Sequence, residues 1–181
     1  MYRCYSPNRV IAVKPCSART EVWINAVLFQ LGWFLCVLDR GMLAITAVLI
    51  ILLGHFRFLA WRKYELRLLC LVAAWGFVQD AVLMQFGVFQ VPDAILPPFW
   101  LMALWILFGT TLTRSLSWFQ NRLWLATLAG AILGSLSYLA GARLGAIDVS
   151  INQLPWLSLA WCLCTPLLLW LGRQLTAGER V

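Results

Sequence analysis

The stretch LLCLVAAWGFVQDAVLMQFGV, residues 68–88, decides the fold class. It is long enough to cross a hydrocarbon core of about 30 Å as a helix, which takes roughly 17–25 residues. Its one charged residue is Asp80, close to the middle. A charged carboxylate at that depth costs roughly 2.5–3.5 kcal/mol, so Asp80 needs a partner, a proton or water. The stretch therefore predicts a transmembrane helix with one acidic residue, Asp80, near its middle.

The rest of the chain repeats this pattern. Hydrophobic residues make up 62% of the 181 residues and charged residues 12%, against about 45–50% and about 25% in soluble domains. Lipid must cover much of that apolar surface, so the sequence predicts an all-α integral membrane protein, a six-helix transmembrane bundle. The predicted spans are Val22–Leu38, Met42–Ala60, Leu68–Val88, Phe99–Phe119, Leu123–Gly145 and Pro155–Leu171.

The basic residues predict the orientation. Twelve of the fourteen Lys and Arg residues fall before the first span, in alternate connections or near the span ends that border them, or after the last span; only Arg40 and Arg143 fall on the other side. Basic residues are retained on the cytoplasmic face during insertion. The chain is therefore predicted to be a multi-pass protein of the bacterial inner membrane with both termini cytoplasmic. Residues 1–21 form a disordered cytoplasmic tail in this interpretation, residues 22–172 the transmembrane domain, and residues 173–181 a second tail.

Several classes of function find no support in the sequence. The net charge of +7 is spread over predicted loops and tails, with no basic, aromatic-interleaved patch, so the lipid bilayer is the expected partner and nucleic acid is not. His55 is the single histidine and cannot supply a multi-histidine metal site. We expect no metal and no cofactor, and no nucleophile elbow, phosphate-binding loop or dinucleotide motif is present.

Small residues line one face of the fifth predicted span. Their spacing of three or four residues lets a neighbouring helix approach closely. Packing within the chain is favoured over a dimer interface. The predicted packing positions are Gly130, Gly134, Ser137, Gly141 and Gly145.

Polar side chains at membrane depth form the candidate site around Asp80. If they converge, they make a polar pocket near the midplane, where transporters bind their substrates. Alternatively, the hydroxyl and amide groups only hold helices together. Asp80 and Arg143 differ in depth by roughly 9–12 Å, so direct pairing and a bridge through water or a hydroxyl both stay open. The remaining members of the set are Gln30, Gln79, Thr110 and Thr111.

Four motifs resemble a bacterial inner-membrane family of unknown function, domain of unknown function 2878. They are N-x-x-x-F-Q-x-G-W (residues 25–33), W-L-x-x-L-W-x-x-F-x-T-T-L (100–112), S-L-x-W (115–118) and Y-x-A-G-x-R-L-G (138–145). The resemblance covers about residues 22–172, and residues 1–20 depart from the family pattern. It implies an association with enzymes that modify membrane-lipid acyl chains. It assigns no role to any residue.

Three hypotheses about function follow. The first is a non-catalytic partner of a lipid-modifying enzyme. The second is a small transporter or flippase that uses Asp80 in a midplane polar site. The third is a lipid-active enzyme with Asp80 and Arg143 as acid–base and anion-binding groups.

Overall fold

The computed structural model describes residues 18–58 and 63–178, and the predictions for residues 1–17, 59–62 and 179–181 lie outside that range. The described part is helical and contains no strand. Its helices are α1 (Ala18–Asp39), α2 (Met42–Phe58), α3 (Lys63–Gln85), α4 (Phe99–Leu112), α5 (Leu123–Ala129), α6 (Ser135–Arg143) and α7 (Leu154–Ala177). A π-helical segment, Gly130–Gly134, joins α5 to α6, and short 3-10 helices cover Ser117–Asn121 and Ile151–Gln153.

Four of the described helical stretches are long and apolar enough to cross a membrane: Arg19–Asp39, Tyr64–Gln85, Leu123–Arg143 and Ile151–Ala177. The third consists of α5, the π-helical segment and α6, which run as one continuous helix. Two further apolar helices, Met42–Arg57 and Phe99–Leu112, are shorter. The chain is therefore an all-helical membrane protein with these four candidate spanning helices.

The central element is α4. It packs against α1, α2, α3 and α7, and nine of its fourteen residues are buried. A helix surrounded by protein can be shorter than the bilayer, because the backbone beyond its end is not exposed to lipid.

The segment after α4 differs from the predicted span, which continued to Phe119. The helix ends at Leu112, and the backbone N–H groups of Arg114 and Leu116 donate to the carbonyl of Thr111 at 3.1 and 2.8 Å. The Gln120 side chain donates to the carbonyl of Leu112 at 2.9 Å. These bonds satisfy carbonyls that a continuing helix would otherwise use, and hydropathy alone does not detect them.

Helix α1 begins at Ala18, four residues before the predicted span. Its first turn carries Arg19 and Glu21, so the helix continues past the apolar segment that defines the span. At its other end, Oδ2 of Asp39 accepts the backbone N–H groups of Gly41 and Ala44 at 3.0 and 2.9 Å. This carboxylate therefore caps the start of α2.

Hydrogen bonds link three connections at one end of the bundle. Gln90, between α3 and α4, and Asp148, between α6 and α7, exchange two backbone hydrogen bonds of 2.9 and 2.8 Å. Arg40, between α1 and α2, donates from Nη1 to the carbonyl of Gly145 at 2.8 Å. These are the three connections predicted to face outwards, and the structure brings them to one place.

The glycines of the fifth predicted span divide into two groups. A Cβ at Gly130 would lie 2.7 Å from the carbonyl oxygen of Trp161, and one at Gly134 would lie 2.3 Å from the Trp161 ring. These two glycines therefore allow close packing against α7. Gly141 has only ordinary contacts, and Gly145 ends the helix with a φ of +72°. The hydroxyl of Ser137 donates to the carbonyl of Gly134 at 2.7 Å.

Candidate functional site

A groove of about 970 Å³ runs along the bundle between α1 and the α5–α6 helix, with α4 and α7 as its floor. Aliphatic and aromatic side chains dominate its lining, among them Phe29, Trp33, Leu104, Phe108 and Leu133. The wall on the α5–α6 side extends from Ala126 to Arg143, which corresponds to about 25 Å of helix. The groove is thus long, apolar and close in length to the thickness of the hydrocarbon core.

Polar groups are few in the lining, and they are unevenly placed. Arg143 lies at the end of α6 and is exposed, while Ser115 lies at the opposite end of the groove. Between them, Gln30 is exposed on α1. Thr165 also lines the groove, and its buried hydroxyl has no hydrogen-bond partner among the described residues.

Asp80 lies behind the floor of the groove. Its side chain is 0% exposed. The indole N–H of Trp105 donates to Oδ2 at 2.6 Å, and the hydroxyl of Tyr138 donates to Oδ1 at 2.5 Å. The Trp105 ring stacks on Trp161 with a centroid distance of 5.1 Å and an interplanar angle of 3°. One carboxylate on α3 is thereby linked to α4, α6 and, through the stacked rings, α7.

This arrangement separates the carboxylate from the groove. Trp105, Tyr138 and Trp161 line the groove, whereas Asp80 does not. Each Asp80 oxygen already accepts a hydrogen bond from one of these residues. A molecule in the groove would contact the rings that hold Asp80 and not the carboxylate itself.

The other predicted polar residues do not gather around Asp80. Gln79 accepts the Trp75 indole N–H at 3.0 Å, and the hydroxyl of Thr111 donates to the carbonyl of Phe108 at 2.6 Å. The hydroxyl of Thr110 donates to the carbonyl of Leu107. Gln30, Thr111 and Arg143 line the groove at separate heights. The structure thus places three of the six residues along the groove and brings none of the other five to within hydrogen-bonding distance of Asp80.

A second polar cluster, at the Ser115 end of the groove, holds four helices together. Nη2 of Arg114 lies 2.8 Å from Oε1 of Glu65, and Nη1 lies 3.4 Å from Oε2 of Glu21. Nε2 of His55 is 3.7 Å from Oε2 of Glu65. Glu21 is on α1, His55 on α2 and Glu65 on α3, and Arg114 follows α4. Glu65 and His55 are each 3% exposed and therefore buried, whereas Arg114 and Glu21 are partly exposed.

Asn25 extends this cluster towards α4. Its side-chain amide donates to Oγ1 of Thr110 at 3.1 Å, and its Oδ1 accepts the hydroxyl of Ser115 at 2.7 Å. Asn25, Glu65 and Arg114 are not among the site residues predicted from the sequence. Asn25 opens one of the family motifs, which is the one signal that could have found it. Arg114 belongs to the basic residues that predict the orientation, and Glu65 lies between basic residues outside the predicted spans.

These features define a helical membrane protein with a lateral apolar groove and buried polar clusters. The sequence model of a family described as a protein of unknown function, DUF2878, matches residues 22–167. The chain therefore belongs to this family, which confirms the resemblance of its motifs. No curated protein and no solved structure matches the chain.

The bond from Tyr138 to Asp80 is expected to stabilise the fold measurably. Tyr138→Phe leaves Oδ1 of a buried carboxylate without its donor, which should lower the free energy of unfolding by about 1–3 kcal/mol. The measurement is a denaturant titration of the purified protein in detergent. In an Asp80→Leu background, where residue 80 offers no acceptor, the same substitution should cost much less. If the losses of the two single variants add up to the loss of the double variant to within about 0.5 kcal/mol, the two side chains are not coupled and the expectation is wrong.

Glu65 is expected to matter far more than Glu21, although both contact Arg114. Glu65→Gln removes the negative partner from a buried pair and should destabilise the protein by about 3–5 kcal/mol. Glu21 is 27% exposed in its pair with Arg114, so Glu21→Gln should cost less than about 1 kcal/mol. Thermal unfolding of the two variants in the same detergent provides the comparison. Equal losses would show that burial does not determine the strength of this cluster.

Proposed function

We propose that this chain is a lipid-binding protein of the bacterial inner membrane that holds a lipid chain in the groove between α1 and α5–α6. The observation that carries the proposal is the groove itself, about 970 Å³ in volume and lined mainly by apolar side chains. That volume is at the upper end of the range for ligand pockets, about 300–1,000 Å³. An elongated apolar ligand fits a groove whose wall follows about 25 Å of helix.

The chemistry of the lining favours lipid over a water-soluble solute. A polar solute requires several converging hydrogen-bonding groups, but the polar residues of this groove lie at separate heights. The groove lies between α1 and α5–α6 and faces the side of the bundle, where lipid tails would surround a spanning protein. A lipid chain could enter sideways without crossing a polar barrier.

We also propose that all six predicted spans cross the membrane. The start of α1, the end of α2, the start of α3 and the end of α4 meet in the cluster around Arg114, so these four helices alternate in direction. Gly172, near the end of α7, lies next to Leu68 at the start of α3. The short helices α2 and α4 correspond to about 25 and 21 Å, and α4 is shielded by its neighbours.

Labelling of single cysteines tests the topology. In a chain whose six natural cysteines are replaced by serine, Ser150→Cys and Asn121→Cys place one thiol at each end of the bundle. A membrane-impermeant maleimide applied to intact cells should label Ser150→Cys alone, because the basic residues hold the Asn121 end in the cytoplasm. Labelling of Asn121→Cys alone would reverse the orientation. Labelling of both in intact cells would refute the six-span arrangement.

We further propose that the chain is a lipid-holding partner of a lipid-modifying enzyme, the role that the family resemblance implies. The bound chain would lie within reach of an enzyme that docks on the bundle. A transporter that uses Asp80 fits the geometry less well, because both carboxylate oxygens accept hydrogen bonds and the side chain does not line the groove. An enzyme that pairs Asp80 with Arg143 requires two groups that do not meet.

Filling the groove should displace the lipid. Ala129 lines the groove, whereas its neighbour Leu128 is exposed and does not. Ala129→Phe introduces a ring into the groove, and Leu128→Phe adds a ring outside it. We expect Ala129→Phe to lower lipid retained after detergent purification by about tenfold or more, equivalent to at least about 1.4 kcal/mol, and Leu128→Phe to retain the wild-type amount. Native mass spectrometry, followed by lipid extraction, measures both.

The outcomes distinguish the occupants of the groove. Equal lipid retention by the two variants would refute the proposal. Loss of a co-purifying membrane helix from Ala129→Phe, with no change in lipid, would assign the groove to a protein partner instead.

A further inference from the structure

We propose that Arg143 and Arg40 form a binding site for the phosphate of an anionic phospholipid at the outer end of the groove. This inference rests on the proposed function, since it assigns the headgroup position of the lipid whose chains occupy the groove. The proposed ligand is a phospholipid whose phosphate lies in the outer leaflet.

Arg143 supplies the first cation. Its side chain is exposed at the end of α6, lines the groove, and forms no ion pair within residues 18–58 and 63–178. Among the described residues, it is the single Lys or Arg residue of the lining. A guanidinium presents a planar set of N–H donors that matches phosphate geometry. An apolar groove that ends at such a group is complementary to an amphiphile with an anionic head.

Arg40 does not line the groove, but its guanidinium lies at the same end of the bundle. It donates from Nη1 to the carbonyl of Gly145, two residues after Arg143. One N–H of the guanidinium is thereby fixed, and the remaining N–H groups can bind a second acceptor. The backbone of Arg40 has a φ of +56°, a left-handed conformation that is uncommon for residues other than glycine. Arg40 is the residue directly after α1, where a left-handed conformation commonly ends a helix, and it begins the short turn that leads to α2.

Three carboxylates, those of Asp39, Asp93 and Asp148, lie at the connections on this end of the bundle, but none forms an ion pair with either arginine within the described residues. Oδ2 of Asp39 accepts the N–H groups at the start of α2. Both guanidiniums therefore keep N–H groups that can donate to a phosphate.

The test compares two lipids with the same pair of sixteen-carbon acyl chains, phosphatidylglycerol and diacylglycerol. The full-length protein is titrated with each in detergent and followed by native mass spectrometry. Arg143→Gln should weaken phosphatidylglycerol binding by about tenfold, because a charge-assisted hydrogen bond to phosphate is lost, and should leave diacylglycerol binding unchanged. Arg40→Gln should act in the same direction. Arg122→Gln is the matched control, because that guanidinium stacks 4.2 Å above Trp118 outside the groove.

Each outcome supports or overturns the inference. If Arg143→Gln binds both lipids as the wild type does, while Ala129→Phe binds neither, the headgroup site is refuted and the lipid groove stands. If Ala129→Phe binds both lipids normally, the groove proposal fails and the headgroup site fails with it. Inorganic phosphate at matched ionic strength should not displace phosphatidylglycerol. Displacement would assign the arginines to a free anion and overturn the lipid assignment. Unchanged diacylglycerol binding shows that the variants are folded.

Discussion

The structure depends on one constraint, the burial of the Asp80 carboxylate in the middle of a membrane protein. A buried carboxylate without hydrogen-bond donors is costly, because it loses its hydration and the low dielectric offers no replacement. The two donors come from different helices, Trp105 on α4 and Tyr138 on α6. Their rings cannot move away from Asp80 without breaking a bond, so they hold the floor of the groove in place. The same bonds that satisfy Asp80 therefore shape the surface on which a ligand would lie.

The groove exists because α5–α6 packs on α7 and leaves a gap towards α1. Gly130 and Gly134 let the α7 backbone and the Trp161 ring approach too closely for any side chain at those two positions. On the other side, polar contacts fix α1 at its two ends, through Asn25 and Glu21 at one end and Arg40 at the other. Between those ends, apolar side chains of α1 face the groove. A bundle held this way can keep an apolar cleft open without losing its overall arrangement.

The helical membrane architecture could be predicted because the hydropathy and the length of a segment are properties of a continuous stretch of sequence. The sequence also identified Asp80 as unusual, since any charge at that depth is costly. It could not identify the partners, which lie 25 and 58 residues away. Successive helical residues point about 100° apart, so Gln79 faces Trp75 although it adjoins Asp80. The carbonyl of Leu112, where α4 ends, accepts a bond from the Gln120 side chain. Hydropathy averages over residues and does not detect such a side-chain contact.

Arg40 and Arg143 are the two basic residues on the side of the bundle that we propose to face outwards. Topology explains why basic residues collect on the cytoplasmic side, and by the same rule it disfavours them on the other. A lone outer arginine in the last turn of a helix could be explained by the helix dipole, and Arg143 alone would need no more than that. Arg40 belongs to a different connection and reaches Gly145 from a left-handed backbone conformation. Two cations that topology disfavours, both at the end of the bundle where the apolar groove ends, are explained by our proposal of a lipid phosphate and not by insertion or helix stability.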